Sequence, residues 1–494
     1  MKTKCDKELT FEECELAILR SAVDKNEKMI QYTEANKPEI KKMIAIVEEF
    51  IRQKKLICYG GTAINNILPK EEQFYNYKYE VPDYDFFSTT PLEHAKELAN
   101  LYYENGFDEV EAKAGVHHGT YKVFVNYIAM ADITYIHPKL FKSIKQDSIK
   151  ILDIYYCAPN YLRMSMFLEL SRPKGDISRW EKVMKRAALL NKYYPLNSEK
   201  CKYENFQRSF EGNPEYVDVI NNTVKAIAVR EQCIFFGGYA NYLYSKYMNK
   251  TVKNKFSKHP DFDLLSIHPK ETAHRIKEEL ENSDFKNITI KKHDGFMDLL
   301  KSHYEVIVNK DTICFVYEPI ACHSYNVIKI KDIRYRIATI DTMLSFYLLF
   351  IYLDKPYYNI DRILCMSQFL FDVQQKNRLS QKGLLRRFSI SCYGNQKSIG
   401  DIFQEKSKLM RELSVNPDEK KKEKWFLKYR PESNKSISRT RKMKFTFDDI
   451  SNDETGVFTS IALKTINKTR KKRKKKKVPL KNALSFPLNI LKDF

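Results

Sequence analysis

The sequence feature that most constrains the fold is an internal repeat. The run ICYGGTAINNI, which contains Gly60 and Gly61, recurs as CIFFGGYANYL around Gly237. The segment VPDYDFFS, which contains Asp83 and Asp85, recurs as HPDFDLLS. The offset between the copies stays at about 180 residues, a regularity that indicates a duplicated domain. At 494 residues the chain is also too long for one ordinary core. We therefore expect two related modules.

Each copy shows the same order of predicted elements. In the first, a helix with one apolar stripe starts at Pro38, and a strand at residues 56–58 leads into the Gly60-Gly61 turn and a short helix. A second strand carries Asp83 and Asp85, and a helix then runs from Pro91 to about Asn105. Two further strands are predicted near residues 120–127 and 131–136. The fold class is α/β (α+β), with mixed sheets flanked by helices and the second copy degenerate.

The predicted domain organisation has five parts. They are an N-terminal helical segment (1–35), a first module (36–200), a degenerate second module (201–400), a basic extension (401–464) and a Lys/Arg-rich tail (465–494). In the N-terminal helix the apolar residues are predicted core contacts: Phe11, Leu16, Ile18, Leu19 and Val23. The tail cannot fold alone, because residues 468–477 carry nine positive charges in ten residues. It is predicted to be disordered, and both RNA tethering and nuclear localisation are open roles for it.

Charge and cysteine content narrow the class of protein. The net charge of +22 favours a polyanionic partner, nucleic acid before membrane. The ten cysteines lack C-x-x-C pairs, so reduced intracellular thiols are expected rather than disulfides. The charged N-terminus is not a secretory signal. No apolar run reaches the ~18 residues that a membrane span needs, so we expect no membrane association.

The acidic residues of the first copy predict a metal site. Side chains alternate along a strand, so Asp83 and Asp85 share one face. Two such carboxylates repel unless a cation lies between them, and Mg²⁺ commonly binds through carboxylates and substrate phosphates. Asp132, on a later strand, completes a set able to hold two metal ions. The glycine pair and the following helix N-terminus suit a phosphate, with Gly60, Gly61 and Thr62 as its predicted contacts. Together these residues predict chemistry on a nucleoside triphosphate.

The second copy lacks part of this set. Tyr239 stands where the first copy has Thr62, and alignment of the later strands places Phe315 at the position of Asp132. Glu318 is close by in sequence but out of register. The second copy is therefore predicted to be catalytically inactive, with packing and RNA guidance as its roles.

A basic stretch follows the catalytic strands. Trp180 is surrounded there by Arg172, Lys174, Arg179, Lys182 and Arg186. Such a stretch is either a solvated helix face or a clamp for a triphosphate or an RNA backbone. Arg179 and Lys182 are the predicted triphosphate ligands. Further along, basic residues interspersed with Trp425 and Tyr429 suit single-stranded nucleic acid or a solvated linker equally well.

The G-G-T, D-x-D and later Asp pattern resembles the polymerase-beta-like nucleotidyltransferase superfamily. The longer match, through YGGTAINNILP, PDYDFF, MADITYI and YLRMSMFLELSRPKGDISRWEKV, resembles poly(A) polymerase catalytic subunits of large DNA viruses, the poxvirus and giant-virus type. The resemblance implies template-independent transfer of AMP from ATP to mRNA 3′ ends with Mg²⁺ or Mn²⁺. It implies that Asp83, Asp85 and Asp132 are catalytic metal ligands.

The resemblance also carries expectations about partners and location. RNA and ATP are the implied substrates. A homodimer is one hypothesis, and a cap methyltransferase, on which the poxvirus enzymes depend, is another. The implied location is the host cytoplasm, in viral factories and the virion. Two alternatives stay open: another enzyme of the superfamily, such as a CCA-adding or oligoadenylate-synthase-like protein, and a non-catalytic RNA-binding scaffold.

Overall fold

The computed structural model describes residues 5, 8–196, 201, 214–256 and 260–431. The predicted tail at 465–494 and the part of the extension from residue 432 lie outside the described residues. Within the described part of the chain, the strands form two eight-stranded mixed sheets flanked by helices. The predicted fold class is therefore confirmed, while the predicted domain boundaries stay predictions.

The first sheet is built mainly from residues 57–156 and has the strand order β16-β3-β4-β5-β2-β1-β7-β6, in which β16 is the short strand Lys428–Tyr429. Its strands are β1 (Ile57–Cys58), β2 (Tyr84–Ser88), β3 (Val110–Ala114), β4 (Thr120–Val125), β5 (Ile128–Tyr135), β6 (Ile149–Ile151) and β7 (Ile154–Tyr156). Its helices are α1 (Phe11–Ala35), α2 (Pro38–Lys54), α3 (Gly60–Ile67), α4 (Pro91–Glu104), α5 (Pro138–Gln146), α6 (Pro159–Leu170) and α7 (Trp180–Tyr193).

The second sheet has the order β10-β11-β12-β9-β8-β14-β13-β15. Its strands are β8 (Ile234–Phe236), β9 (Phe262–Leu265), β10 (Ile288–His293), β11 (His303–Val308), β12 (Asp311–Tyr317), β13 (His323–Ile330), β14 (Ile333–Ala338) and β15 (Cys392–Tyr393). The helices are α8 (Pro214–Arg230), α9 (Gly237–Tyr244), α10 (Lys250–Lys253), α11 (Pro269–Asn282), α12 (Ile340–Phe350) and α13 (Ile360–Lys376). After them come α14 (Ile399–Val415), α15 (Glu419–Phe426) and the short strand β16 (Lys428–Tyr429).

The two sheets share one connectivity, as the sequence repeat predicts. In the first, β1 is antiparallel to β2 and parallel to β7, and β2 is parallel to β5. In the second, β8 is antiparallel to β9 and parallel to β14, and β9 is parallel to β12. The same alternation of apolar residues in both copies produces the same pairing, because a one-residue slip would turn the buried face to solvent. We call the two copies the first and second modules.

Helices α6 and α12 join the modules. They pack against each other along most of their length, and Tyr161 of α6 contacts Tyr352 edge-on at 5.3 Å between ring centres. All eleven residues of α12 are buried, which explains its almost wholly apolar sequence.

The N-terminal helix departs from prediction in its packing. Helix α1 forms, and a capping box between Thr10 and Glu13 starts it. Its predicted core contacts are instead exposed, with Phe11 79% and Leu19 57% accessible. The prediction that Phe11, Leu16, Ile18, Leu19 and Val23 are core residues is wrong. The spacing of these residues shows which face of the helix is apolar. It does not show whether another part of the protein packs against that face.

The first part of the basic extension folds back onto the first module. Strand β16 pairs with β3 at the sheet edge, and the hydroxyl of buried Tyr429 donates to the Asn100 side chain at 2.7 Å. The backbone carbonyl of Lys424 accepts from the Tyr121 hydroxyl at 2.8 Å. Residues 419–429 are therefore a structured edge of the first sheet, and the burial of Tyr429 rules out its use as a stacking platform for bases.

Cysteine pairing also differs from prediction. Among the described residues, three pairs lie at bonding distance: Cys5–Cys14, Cys201–Cys365 and Cys322–Cys392. The expectation of a fully reduced thiol set is therefore wrong for these six residues. Spacing in the chain could not show it, because two of the bonds join residues far apart in sequence. No helix of the described part is long and apolar enough to cross a bilayer.

Candidate active site

The Gly60-Gly61 pair lies where the backbone comes closest to the acidic strand. Gly60 begins α3 with φ +71°, a left-handed conformation that L side chains rarely adopt. A Cβ added there would lie 2.2 Å from Oδ2 of Asp85. A Cβ on Gly61 would lie 2.4 Å from the Tyr75 hydroxyl and 2.9 Å from Nη2 of Arg186. Glycine is therefore required at Gly60, and Asp85, Tyr75 and Arg186 surround the start of α3.

Adjacent parallel strands bring the predicted carboxylates together. Asp85 on β2 is the direct register partner of Asp132 on β5. Asp83 lies one residue before β2, and Tyr84 points to the opposite face, where its hydroxyl donates to Glu48 at 2.6 Å. The predicted sharing of one face is therefore observed, since the three carboxylates interact electrostatically with one another. This arrangement is what a cation-binding strand pair requires.

A lysine that the sequence analysis did not single out completes this cluster. Lys122 on β4 is the cross-strand partner of Asp132, and its ammonium forms an ion pair with Oδ2 of that residue. The other oxygen, Oδ1 of Asp132, is buried without a hydrogen-bond donor. Lys122 therefore orients Asp132 and leaves one of its oxygens available for a ligand.

The electrostatics of the site disfavour three negative charges. The pKa of Asp85 is raised to about 7, first because burial removes the side chain from water and then because Asp83 and Asp132 repel its charge. The pKa of Asp83 is raised to about 6 by desolvation, with a further contribution from Asp132. Lys122 acts against both shifts. A positive ion would remove this penalty.

The donor set fits a hard divalent cation. It consists of carboxylate oxygens, one of them buried and unpaired, beside a glycine turn that admits a phosphate. The side chains as they lie do not form a closed shell, because within the described residues no three potential ligands converge on one point. Lys122 accounts for part of this, since it takes up one oxygen of Asp132.

Thr62 has a different contact from the predicted one. Its side chain is 2% exposed, and its hydroxyl donates to the backbone carbonyl of Asp83 at 2.8 Å. Thr62 thereby ties α3 to the acidic strand and fixes where Asp83 stands. Its role as a direct phosphate ligand stays a prediction.

The basic residues after α6 differ in their contacts, and the assignment of Arg179 and Lys182 as triphosphate ligands stays a prediction. Arg179 pairs with Glu169 at 3.3 Å and lies close enough to Asp85 to oppose, as a minor cause, the rise in the pKa of that residue. Lys182 is exposed on α7. Arg186, one turn further along, donates to the Tyr75 hydroxyl at 2.7 Å and stacks on Phe74 at 4.8 Å. Because its guanidinium abuts Gly61, Arg186 is the cation that the structure places at the glycine turn.

The second module carries the same frame with different side chains. Gly237 has φ +67°, and Phe315 is the register partner of Asp263, as Asp132 is of Asp85. The predicted replacement of Asp132 by Phe315 is therefore confirmed. The lysine is lost as well, because Glu305 occupies the place of Lys122 opposite Phe315 and bonds His293 at 2.7 Å.

Comparison with known proteins agrees with this geometry. Residues 45–176, which contain the glycine turn and all three carboxylates, match the family model described as poly(A) polymerase catalytic subunit. This segment is similar to that family. The predicted resemblance is confirmed.

Two curated viral relatives and one solved structure extend the comparison. The chain is 36% identical over 180 residues to the candidate poly(A) polymerase catalytic subunit of an African swine fever virus isolate, covering 35% of this chain and 38% of that protein. It is 33% identical over 184 residues to that of Acanthamoeba polyphaga mimivirus, covering 36% and 30%. The chain thus spans well under half the length of the curated relatives it matches. The Megavirus polyadenylate synthase structure superposes with TM-score 0.69 over 88% of both chains at 23% identity, which shows a shared fold.

Proposed function

We propose that this chain is a template-independent polynucleotide adenylyltransferase, which adds AMP from ATP to the 3′ ends of mRNA. The observation that carries the proposal is the pairing of Asp85 with Asp132 on adjacent parallel strands, directly beside Gly60, in the segment that matches the poly(A) polymerase family. The shared fold with a polyadenylate synthase supports it across most of the chain.

In the proposed mechanism, the chain's residues align ATP against the RNA end. Gly60 and Gly61 let the backbone approach the triphosphate, and the positive N-terminal end of α3 faces it. The RNA 3′ oxygen attacks the α-phosphorus, the bond to the bridging oxygen breaks, and pyrophosphate leaves. The proton of the attacking hydroxyl leaves to solvent, because Oδ1 of Asp132, the oxygen that has no donor, is the one assigned to the metal. Lys122 holds the Asp132 side chain in its orientation for this step.

We propose Mg²⁺ or Mn²⁺ as the cofactor, held by Asp83, Asp85 and Asp132. When bound, the metal ions supply charge stabilisation at the phosphates and lower the pKa of the hydroxyl. The raised pKa values of the carboxylates and the unpaired oxygen of Asp132 support this ligand set.

The carboxylates predict how metal and pH act together on stability. Because the folded-state pKa of Asp85 lies above its unfolded value, the unfolded chain loses its proton first as pH rises. Without divalent metal, this residue lowers the free energy of unfolding progressively between about pH 4 and pH 7, by a few kcal/mol. MgCl₂ or MnCl₂ should therefore raise Tm more at pH 7.5 than at pH 5. Thermal unfolding with and without metal at both pH values measures this, with Asp83→Asn/Asp85→Asn as the control that lacks the difference. An equal metal effect at both pH values would contradict the ligand assignment.

Arg186 is expected to bind the triphosphate. Arg186→Gln should raise KM for ATP about tenfold, since a charge-assisted contact to phosphate contributes roughly 1.5–3 kcal/mol. Lys185→Gln on the same helix removes the same charge from an exposed ion pair with Glu181 and should leave KM within about twofold. Steady-state kinetics on both variants, with Arg179→Gln and Lys182→Gln beside them, rank the three candidate cations. A larger effect at Arg179 or Lys182 than at Arg186 would assign the triphosphate contact to that residue instead.

We further propose that the chain acts as a homodimer, supported by the exposed apolar face of α1. Light scattering should give twice the chain mass of 58.5 kDa, and Leu16→Glu/Leu19→Glu should return the monomer mass with the fold intact. A monomer at micromolar concentration would exclude this arrangement. If that monomer formed a complex on addition of a cap methyltransferase, a heterodimer of the poxvirus type would replace the homodimer as the proposed assembly. The proposed setting is the host cytoplasm, in viral factories and the virion.

A further inference from the structure

A cavity in the second module has no part in the proposed chemistry. It has a volume of about 310 Å³ and lies between the start of α12 and the segment that follows α13. Its wall combines Asp341 and Gln374 with Arg378, Leu384, Arg386 and Phe388. This volume and this mixture of apolar surface with a few polar groups are typical of small-molecule sites.

Arg387 holds the inner wall of the cavity in place. Its guanidinium donates to Oδ1 of Asp341 at 2.7 Å, and its backbone N–H donates to the Gln381 side chain at 3.0 Å. Asp341 is 1% exposed, so this ion pair is largely shielded from water. The guanidinium also lies over the Phe388 ring at 4.6 Å. These contacts make the cavity a preformed one.

The mouth of the cavity presents positive charge beside an aromatic ring. Arg378 and Arg386 are exposed, and the described residues provide no ion pair for either. The Phe388 ring is 38% exposed and lies 5.7 Å from Trp180. Phe388 has φ +51°, an unusual conformation for a bulky residue and one that is often kept at binding sites.

We propose that this cavity binds one nucleotide unit. The base lies against Phe388 and the apolar floor at Leu384, while Arg378 and Arg386 contact the phosphate. An aromatic platform beside cationic side chains is the combination that binds single-stranded nucleic acid. An RNA nucleotide and free ATP offer the same chemistry, and the experiment below separates them. The inference deepens the proposed function, on which it rests, by giving the catalytically incomplete module a contact with substrate.

The position of the cavity relative to the candidate active site supports a substrate role. Helix α7 separates the two, because Met184 contacts Arg387 with Sδ 4.0 Å from Nη2, whereas Arg186 abuts Gly61. Residues two apart on a helix point to nearly opposite sides, and a helix with side chains is about 10–12 Å wide. A nucleotide in the cavity therefore lies one helix away from the glycine turn, within reach of a single RNA strand.

The test is equilibrium binding with the full chain carrying Asp85→Asn to stop turnover. The probes are a fluorescein-labelled 20-residue oligoadenylate, over a range of salt concentrations, and MgATP by calorimetry. Arg378→Ala/Arg386→Ala should weaken oligoadenylate binding at least fivefold and reduce the slope of log affinity against log salt by about 0.7, the value for one phosphate of a single strand. Phe388→Leu, which keeps an apolar side chain, should weaken it about tenfold without changing the slope.

The matched control is Lys331→Ala/Arg334→Ala, which removes two exposed charges from the same module. Loss of oligoadenylate affinity beyond this control, with MgATP binding unchanged, supports an RNA nucleotide as the occupant. Weaker MgATP binding than in this control, with oligoadenylate binding unchanged, supports a free nucleotide. Variants equal to the control with both probes would overturn the site. Because binding is read in the inactive variant, failure of RNA extension by the wild type would refute the proposed activity without touching this result.

Discussion

Asp85→Asn and Asp132→Asn are each expected to reduce AMP incorporation by about 10³-fold or more while the protein stays folded. Each variant removes a charged metal ligand, and a bound metal ion contributes several kcal/mol of charge stabilisation, where every 1.4 kcal/mol is a factor of ten in rate. The amide is close in shape to the carboxylate, so packing is preserved. The measurement is single-nucleotide extension of a labelled oligoribonucleotide at saturating ATP and Mg²⁺.

Thermal stability distinguishes a loss of catalysis in Asp85→Asn from a loss of folding. Asp85 is destabilising in the metal-free protein at neutral pH, because burial and like charges raise its pKa. Asp85→Asn should therefore unfold at the same temperature as the wild type or higher, in spite of its lost activity. The duplicated module supplies a matched control, since Asp263 is the counterpart of Asp85 next to Phe315. Asp263→Asn should keep at least half of the wild-type rate, and loss of activity in that variant alone would reverse the assignment of the two modules.

Gly60→Ala is expected to reduce the activity of the folded protein more than 100-fold. The added Cβ would meet Oδ2 of Asp85 at 2.2 Å, so the carboxylate must move away from the glycine turn. Left-handed φ +71° adds roughly 1–2 kcal/mol of backbone strain for an L residue. Stability and catalysis should therefore both fall. The measurement is the rate of extension per folded molecule, with the folded fraction taken from thermal unfolding.

Gly237→Ala is the matched control for this prediction. Gly237 has φ +67°, and a Cβ added there would lie 1.8 Å from Oδ2 of Asp263. The substitution therefore causes the same kind of backbone strain and steric clash in the second module. This variant should lose comparable stability but keep the activity of each folded molecule. If Gly60→Ala retained full activity, the close approach of Gly60 to Asp85 would have no part in catalysis.

The duplication and the differences between the two active-site regions could be predicted from the sequence, because the two copies can be aligned with each other. The strands around Asp85 and Asp132 are short and apolar, so their alternation places both carboxylates on one face. The same alignment located Phe315 at the position of Asp132, and the strand pairing agrees. The position of Phe315 could be predicted because the two copies share the same order of strands.

What the sequence did not predict depends on register and on tertiary contacts. Lys122 faces Asp132 across a strand pair whose register shifts between Val123 and Phe124, so counting outward from the turn does not reach the right partner. Arg186 was among the basic residues noted, but its position beside Gly61 comes from its contacts with Phe74 and Tyr75 in a connection far away in sequence. A pattern of charges along a helix does not indicate which turn meets the site.

The central claim is most directly tested by extension of a labelled oligoribonucleotide with each nucleoside triphosphate supplied separately, with Mg²⁺ or Mn²⁺ and no template. The account predicts long tails with ATP alone, and no product from Asp83→Ala/Asp85→Ala. Addition of one to three residues would indicate a CCA-adding type of enzyme, and 2′-5′ linkages in the product would indicate an oligoadenylate-synthase type. RNA bound equally well by both proteins, with no extension and no pyrophosphate released, would contradict the account and leave an RNA-binding scaffold.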